Sequence, residues 1–135
     1  MIVHLSHPEG LLQQSDYAPV ALATGSRLLM LAGQAAVTPA GDVTATDLAG
    51  QVHTAMSNIA TGVKGAGGDV SDIAHLTVYV VGWTPDKASA LLEGTARAQE
   101  SDGFSAPLPP ITVIGVQGLW FPELLVEIQA TAVLN

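Results

Sequence analysis

The feature that most constrains the fold is an alternating segment near the end of the chain. From position 124 to 132 every second residue is apolar, and Glu127, Gln129 and Thr131 occupy positions between them. Successive side chains of a β-strand point to opposite faces, so this pattern predicts a strand with one buried face. Glu127 then projects from the middle of the other face, into solvent or into a pocket. A second strand is predicted just before it, at 111–116.

The first part of the chain also has strand-like patterning. After a lead-in over residues 1–16, irregular or a short strand, apolar segments at 20–23 and 28–34 flank a Thr-Gly-Ser turn. Two apolar segments joined by such a turn are typical of a β-hairpin, which we predict here.

Two helices are predicted, one on each side of a further strand at 73–81. The first helix covers 48–63, where apolar residues recur every three or four positions, and either Thr46 or Asp47 can cap it. The second begins at Thr84-Pro85-Asp86 and ends near Gly103. Its predicted buried stripe comprises Ala88, Leu91, Leu92 and Ala96.

The resulting order, β-β-α-β-α-β-β, predicts the fold class. Elements in this order favour an α+β domain in which one sheet carries both helices on one face and leaves its other face uncovered. The length of 135 residues suits a single domain over residues 1–135.

Composition limits the possible partners and compartments. Four basic residues stand against twelve acidic ones, a net charge of -8, which disfavours nucleic-acid binding and a ribonuclease activity. The absence of cysteine fits a reducing compartment, and no apolar run approaches membrane-spanning length, so we expect a cytoplasmic protein without membrane association. With 48% hydrophobic and 12% charged residues, part of the apolar surface is expected to lie between subunits.

Five short segments occur in a characteristic order: Tyr17, Ala32-Gly33-Gln34, Ala66–Ile73, Leu76–Val80 and Leu125–Val133. Together they resemble the RidA/YjgF family, the reactive-intermediate deaminases. The resemblance implies a chorismate-mutase-like fold and a homotrimer whose sheets form a central barrel, with a cleft between each pair of subunits. It also implies hydrolysis of enamines and imines, such as 2-aminoacrylate, to the ketoacid and ammonia, without a metal or organic cofactor.

The resemblance further implies roles for individual residues. Glu127 corresponds to the Glu that positions water and transfers a proton, and Tyr17 to a Tyr that closes the pocket. Ile111, however, stands where the family has an Arg that grips the substrate carboxylate, and Ile cannot form that charged contact. Val113 and Ala32 likewise replace a frequent Cys and a frequent Ser. With Gln34 retained, the cleft is expected to accept a neutral, partly apolar small molecule.

Two functions remain open from the sequence. One is an enzyme that hydrolyses an imine, enamine or related C–N bond, with Glu127 as acid and base and with Tyr17 and Gln34 orienting substrate and water. The other is a non-catalytic trimer that binds a small apolar metabolite. Trp83 and Trp120 lie in predicted loops, where large rings pack across an interface or over a ligand, and Trp120 is a further candidate for ligand binding.

Overall fold

The computed structural model describes residues 2–45 and 47–135. Within these residues it contains six strands and two helices. One short 3-10 turn precedes the fourth strand, and another precedes the second helix. Their bounds are β1 Val3–Ser6, β2 Val20–Ala23, β3 Arg27–Met30, α1 Leu48–Gly65, β4 Ile73–Val81, α2 Ala88–Asp102, β5 Ile111–Val116 and β6 Val126–Leu134. Both helices lie on one sheet, which confirms the predicted α+β class.

The main sheet has four strands in the order β3-β6-β4-β5. Strand β6 is antiparallel to both of its neighbours, whereas β4 and β5 are parallel and are joined through α2. The apolar residues of β6 are buried beneath the helices, as the alternation predicted: Val126, Ile128, Ala130 and Ala132.

The predicted hairpin between 20–23 and 28–34 is wrong. Strand β2 pairs with β1 from the lead-in, in a separate two-stranded sheet, while β3 pairs with β6. The turn residues between β2 and β3 do not bond across a hairpin. The Thr24 N–H donates to the Ile2 carbonyl at 2.8 Å, and the Ser26 N–H donates to the Leu134 carbonyl at 2.9 Å. The chain thus leaves one sheet at this turn and enters the other.

Helix α1 agrees with its prediction. The Asp47 side chain caps it by accepting a hydrogen bond from the Gly50 N–H at 2.9 Å, and the alternative cap, Thr46, lies outside the described residues. The apolar stripe is buried against the sheet, with Val52, Ala55, Met56, Ile59 and Val63 inaccessible to solvent.

Helix α2 has the predicted limits but a different buried face. A 3-10 turn at Pro85–Lys87 leads into it, and Gly103 ends it with a left-handed φ of 79°. Leu91 is buried as predicted, whereas Leu92 is 43% exposed and Ala96 is also exposed. Gly94, Thr95 and Ala98 are buried instead, and the absence of a side chain at Gly94 allows close approach to α1.

The opposite face of the four-stranded sheet carries no helix. Three large apolar side chains on it are exposed, Leu28 by 68%, Met30 by 62% and Ile114 by 41%. An exposed apolar surface of this kind is typical of a protein–protein interface. In the described part of the chain, neither helix is long and apolar enough to cross a membrane.

Candidate functional site

The predicted site residues form two groups on opposite faces of the main sheet. Ile111 and Val113 pack against the hydrophobic core on the helix side. Glu127 alternates with the buried residues of β6 and therefore projects from the open face, opposite Tyr79 of β4 in the strand register. One chain alone consequently does not bring Glu127 and Ile111 together.

The first group surrounds an apolar cavity of about 100 Å³ between α2 and the edge strand β5. Tyr17 reaches this cavity because the chain around it pairs with Leu108: the Ala18 N–H donates to the Leu108 carbonyl at 2.8 Å. The lining consists of Asp16, Tyr17, Leu91, Leu92, Thr95, Leu108, Ile111 and Val113. The exposed position of Leu92, which the helical pattern did not predict, is explained by its place in this wall.

A second cavity of about 200 Å³ adjoins the first along α2. The two share Asp16, Leu92 and Thr95, and the second adds polar groups from Ser15 and Gln99. Asp16 is exposed, and its backbone carbonyl accepts a hydrogen bond from the Leu108 N–H at 3.0 Å. Among the described residues, it is the only acidic residue in either lining, and neither lining contains a basic residue. Asp16 was not predicted from the sequence because no recognisable motif includes it.

The second group is organised by an irregularity beside β6. The Leu31 N–H donates to the Ala130 carbonyl, and Gln34 exchanges backbone hydrogen bonds with Ile128. The chain therefore advances three residues while β6 advances two, which is a β-bulge. The bulge holds Gly33 beneath the side chain of Glu127.

Glu127 and Gly33 are in direct contact. An ideal Cβ built on Gly33 overlaps Oε1 of Glu127 and lies 2.6 Å from its Cδ and 2.7 Å from its Cγ. The carboxylate occupies this place only because residue 33 lacks a side chain. Ala32 is exposed in the same bulge, and its carbonyl accepts a hydrogen bond from the Gln34 side-chain amide at 3.1 Å.

Gln34 also lines a groove of about 300 Å³ between the segment after β3 and helix α1. Asn58 of α1 supports this segment by donating to the Ala35 carbonyl at 2.9 Å. The other lining residues are Val37, Thr38, Pro39, Asn58, Thr61 and Gly62. Gln34 therefore lies beside α1, at the sheet edge opposite β5, whereas Glu127 projects from the open face.

A buried glutamine fixes the start of β6. Gln51 is inaccessible to solvent, its amide donates to the Ala45 and Glu123 carbonyls, and its Oε1 accepts from the Leu125 N–H at 2.8 Å. These bonds tie the loop before β6 to α1, two residues before Glu127. A polar residue beside the apolar stripe of α1 was the sequence signal for this role.

The two tryptophans differ in environment. Trp83 packs against the hydrophobic core and contacts Gly115 of β5, so it serves the fold of the single chain. Trp120 is 86% exposed in the loop between β5 and β6 and lines neither of the two cavities beside α2. A role for Trp120 in ligand binding therefore stays a prediction.

A polar cluster on the outer side of the helices offers no nucleophile. The hydroxyls of Ser57 and Ser101 both donate to Oδ2 of Asp102, at 2.6 and 2.8 Å, and His53 contacts the Ser101 hydroxyl. Burial raises the pKa of the Asp102 carboxyl, but the two serine hydrogen bonds and nearby positive groups lower it further, so the net pKa is below its ordinary value. The serines stabilise a carboxylate and are not activated by a base.

Solved structures with a similar fold were found. The Rid-family protein YyfB of Yersinia pestis, described as of unknown function, is 28% identical with a TM-score of 0.84, over 99% of this chain and 100% of that one. PA3499 of Pseudomonas aeruginosa, also of unknown function, is 27% identical with a TM-score of 0.64, over 98% and 93%. TdcF of E. coli with bound serine is 23% identical with a TM-score of 0.68, over 97% and 94%, and supports the fold alone.

The sequence has no significant match among curated proteins. The model of the family described as Endoribonuclease L-PSP matches residues 11–134, which is nearly the whole chain. The segments that resemble RidA/YjgF proteins lie within this match, and their resemblance is confirmed. The chain belongs to the Endoribonuclease L-PSP family, which is the YjgF/RidA family.

Proposed function

We propose that the protein is a homotrimeric enzyme that hydrolyses the C–N bond of an imine or enamine lacking a carboxylate, in clefts between subunits. The observation that carries the proposal is the division of the site. The apolar cavity lined by Ile111 lies on the helix face of the main sheet, and Glu127 is held in a defined position on the open face. Association of two copies offers a way for these faces to meet.

The exposed face of the sheet supports association. Leu28 and Met30 of β3 expose apolar surface beside the strand that carries Glu127, and Ile114 of β5 exposes more at the other edge of the sheet. Burying large apolar side chains between subunits contributes about 1.5–3 kcal/mol for each one fully buried. Three-fold association would bury this face in every subunit and create three equivalent clefts.

Glu127 is the group proposed to move protons. Its carboxylate accepts a proton from a water molecule while the water oxygen attacks the carbon of the C=N bond, and the proton is then delivered to nitrogen. Glu127 then takes the remaining proton of the added hydroxyl and delivers it to nitrogen as the C–N bond breaks, so one imine and one water give one carbonyl compound and one amine or ammonia. Tyr17 and Gln34 orient substrate and water, and this chemistry requires no metal or cofactor.

Ile111 sets the proposed substrate class. A guanidinium binds a carboxylate through two charge-assisted hydrogen bonds, and the sec-butyl side chain of Ile cannot do so. A carboxylate ligand, such as the serine bound by TdcF, would find no cation beside Ile111. Glu127 would repel it, because both groups are carboxylates. We therefore propose a substrate without a carboxylate.

The alternative is a non-catalytic trimer that binds a small apolar metabolite. The nearly apolar lining of the 100 Å³ cavity favours this candidate, since such a surface binds without promoting chemistry. A ribonuclease activity, which the family description suggests, is disfavoured because four basic residues cannot neutralise a phosphate backbone against twelve acidic ones.

The test combines mass and turnover. Light scattering should give three times the chain mass of 13.8 kDa, and a monomer mass would contradict the shared cleft. In a screen of neutral imines and enamines, Glu127→Gln should lower turnover by about 100- to 10,000-fold and leave binding nearly intact. Glu123→Gln, a matched change at an exposed position, should keep full activity. Binding without turnover in all three proteins would favour the alternative, and 2-aminoacrylate should be a poor substrate.

A further inference from the structure

We infer that the ligand of the cleft carries a positive charge, as an iminium or alkylammonium group attached to a small apolar body. The inference rests on the proposed function in placing that ligand beside Tyr17 and Ile111, and it adds the sign of its charge. The relevant residue is Asp16, an exposed acidic residue that lines both cavities along α2.

Asp16 is the one charged residue among the described residues that line these cavities. Asp16 lies at the junction of the two cavities, and Glu127 belongs to the second half of the proposed cleft. No described histidine, lysine or arginine lines either cavity or the groove beside Gln34. With a net charge of -8, the whole chain adds to a field that attracts cations and repels anions.

The basic residues are engaged elsewhere. Arg27 donates to the Asn135 carbonyl, and Lys87 donates to the Val81 and Gly82 carbonyls. Arg97 pairs with Glu93 at 2.6 Å on the exposed side of α2. The fourth, Lys64, lies in the last turn of α1.

The shapes of the cavities fit an amphiphilic cation. The inner 100 Å³ cavity presents Leu91, Ile111 and Val113 to an apolar group. The outer 200 Å³ cavity presents Ser15 and Gln99, and Asp16 lies where the two meet. A molecule with an alkyl end in the inner cavity would place a nitrogen near this carboxylate, which desolvates the cation less than a fully buried pair would.

A positive charge also suits the proposed reaction. A protonated imine is more electrophilic at carbon than the neutral form, and a nearby carboxylate favours the protonated form. Water adds to the carbon of the iminium, one proton moves from the added oxygen to nitrogen, and as the C–N bond breaks the second proton of that oxygen moves to the leaving ammonia. One iminium and one water give one carbonyl compound and one ammonium ion, with the positive charge conserved.

The experiment uses three probes with one carbon skeleton and different charges: 3-methylbutylammonium, 3-methylbutan-1-ol and 4-methylpentanoate. NMR titration of the wild-type protein at neutral pH and low salt measures the affinity of each. The ammonium should bind about two- to fivefold more tightly than the alcohol, as expected for an ion pair near solvent, and the carboxylate should bind most weakly. Raising the salt to about 0.5 M should bring the first ratio close to one.

Two variants locate the effect. Asp16→Asn should bring the ratio of ammonium to alcohol affinity to about one without changing alcohol binding, whereas Glu100→Gln, an equal change in net charge on the exposed side of α2, should preserve the ratio. The inference is overturned if the alcohol or the carboxylate binds the wild type as tightly as the ammonium. It is also overturned if both variants lower the ratio equally, which would assign the preference to net charge.

The outcomes separate this inference from the proposed function. Turnover of neutral imines together with equal binding of the three probes would support the enzyme and refute the cationic ligand. Preferential ammonium binding that depends on Asp16, without turnover of any imine, would support the cationic ligand and refute the hydrolase.

Discussion

The contact between the two helices provides the most quantitative prediction. At Gly94 of α2, an added Cβ would lie 2.5 Å from Cβ of Val52, 2.6 Å from its Cγ1 and 2.7 Å from the carbonyl oxygen of Ala49. Ordinary carbon contacts are about 3.5–4.0 Å, so the helices would have to separate by about 1 Å. Because Ala49 contributes a backbone atom, a side-chain rotation cannot relieve the overlap.

The expected cost of Gly94→Ala follows from two opposing terms. Overpacking a tight contact costs about 1–3 kcal/mol, and replacing Gly by Ala inside a helix regains up to about 1 kcal/mol. The net loss of unfolding free energy is expected to be about 1–2 kcal/mol. For a chain of this length each kcal/mol lowers the Tm by roughly 3–5 °C, so the Tm should fall by about 3–10 °C.

The matched control is Gly65→Ala in the last turn of α1. A Cβ there meets no atom within 4 Å, so only the gain in helix propensity remains, and stability should be unchanged or higher by up to about 1 kcal/mol. Thermal and urea unfolding followed by circular dichroism measure both variants. If Gly94→Ala were as stable as the wild type, the close approach of the helices would not be a packing constraint.

The remaining predictions concern the proposed base and the polar cluster. Gly33→Ala should displace the carboxylate of Glu127 and lower imine turnover roughly 100-fold with little change in Tm. The control is Gly118→Ala, where the added Cβ meets no atom within 4 Å and turnover should be unchanged. Equal activities of the two variants would refute the contact between Gly33 and Glu127. Asp102 has a lowered folded-state pKa, so its contribution to stability is full above its ordinary pKa near 3.9 and is lost as the pH falls through the folded value. Asp102→Asn should therefore reduce the acid sensitivity of urea unfolding between pH 5 and about pH 2, and an unchanged pH slope would contradict the assignment.

Local pattern was sufficient for most elements of the fold. Strand β4 has the predicted limits, Ile73–Val81, because β-branched residues fill it and turns bound it on both sides. Helix α1 and the buried face of β6 were also predicted, since hydrophobic period reports which side of an element meets the core. In each case the determining residues are neighbours in sequence.

Strand pairing and the site depended on distant residues. The Thr-Gly-Ser turn at 24–26 has the composition of a hairpin, but its partner is the end of β6, which no local pattern identifies. Glu127 was predicted from its alternation and its resemblance to a family motif. Its support by Gly33 and the participation of Asp16 were not, because a bulge and a cavity arise only when separate segments meet.

The central position of β6 has a consequence for how the chain folds. This strand lies between β3 and β4, and Arg27 of β3 pairs with Leu134, about a hundred positions away. Pairing at such separation requires closure of a long loop before the contacts form, which slows folding relative to helical proteins of similar size. During synthesis β3 and β4 emerge well before β6, and until then each presents an unpaired edge to other chains. Arrest of translation before β6 should therefore release an aggregation-prone intermediate. The strand that carries Glu127 is thus also the strand that covers these two edges and completes the sheet.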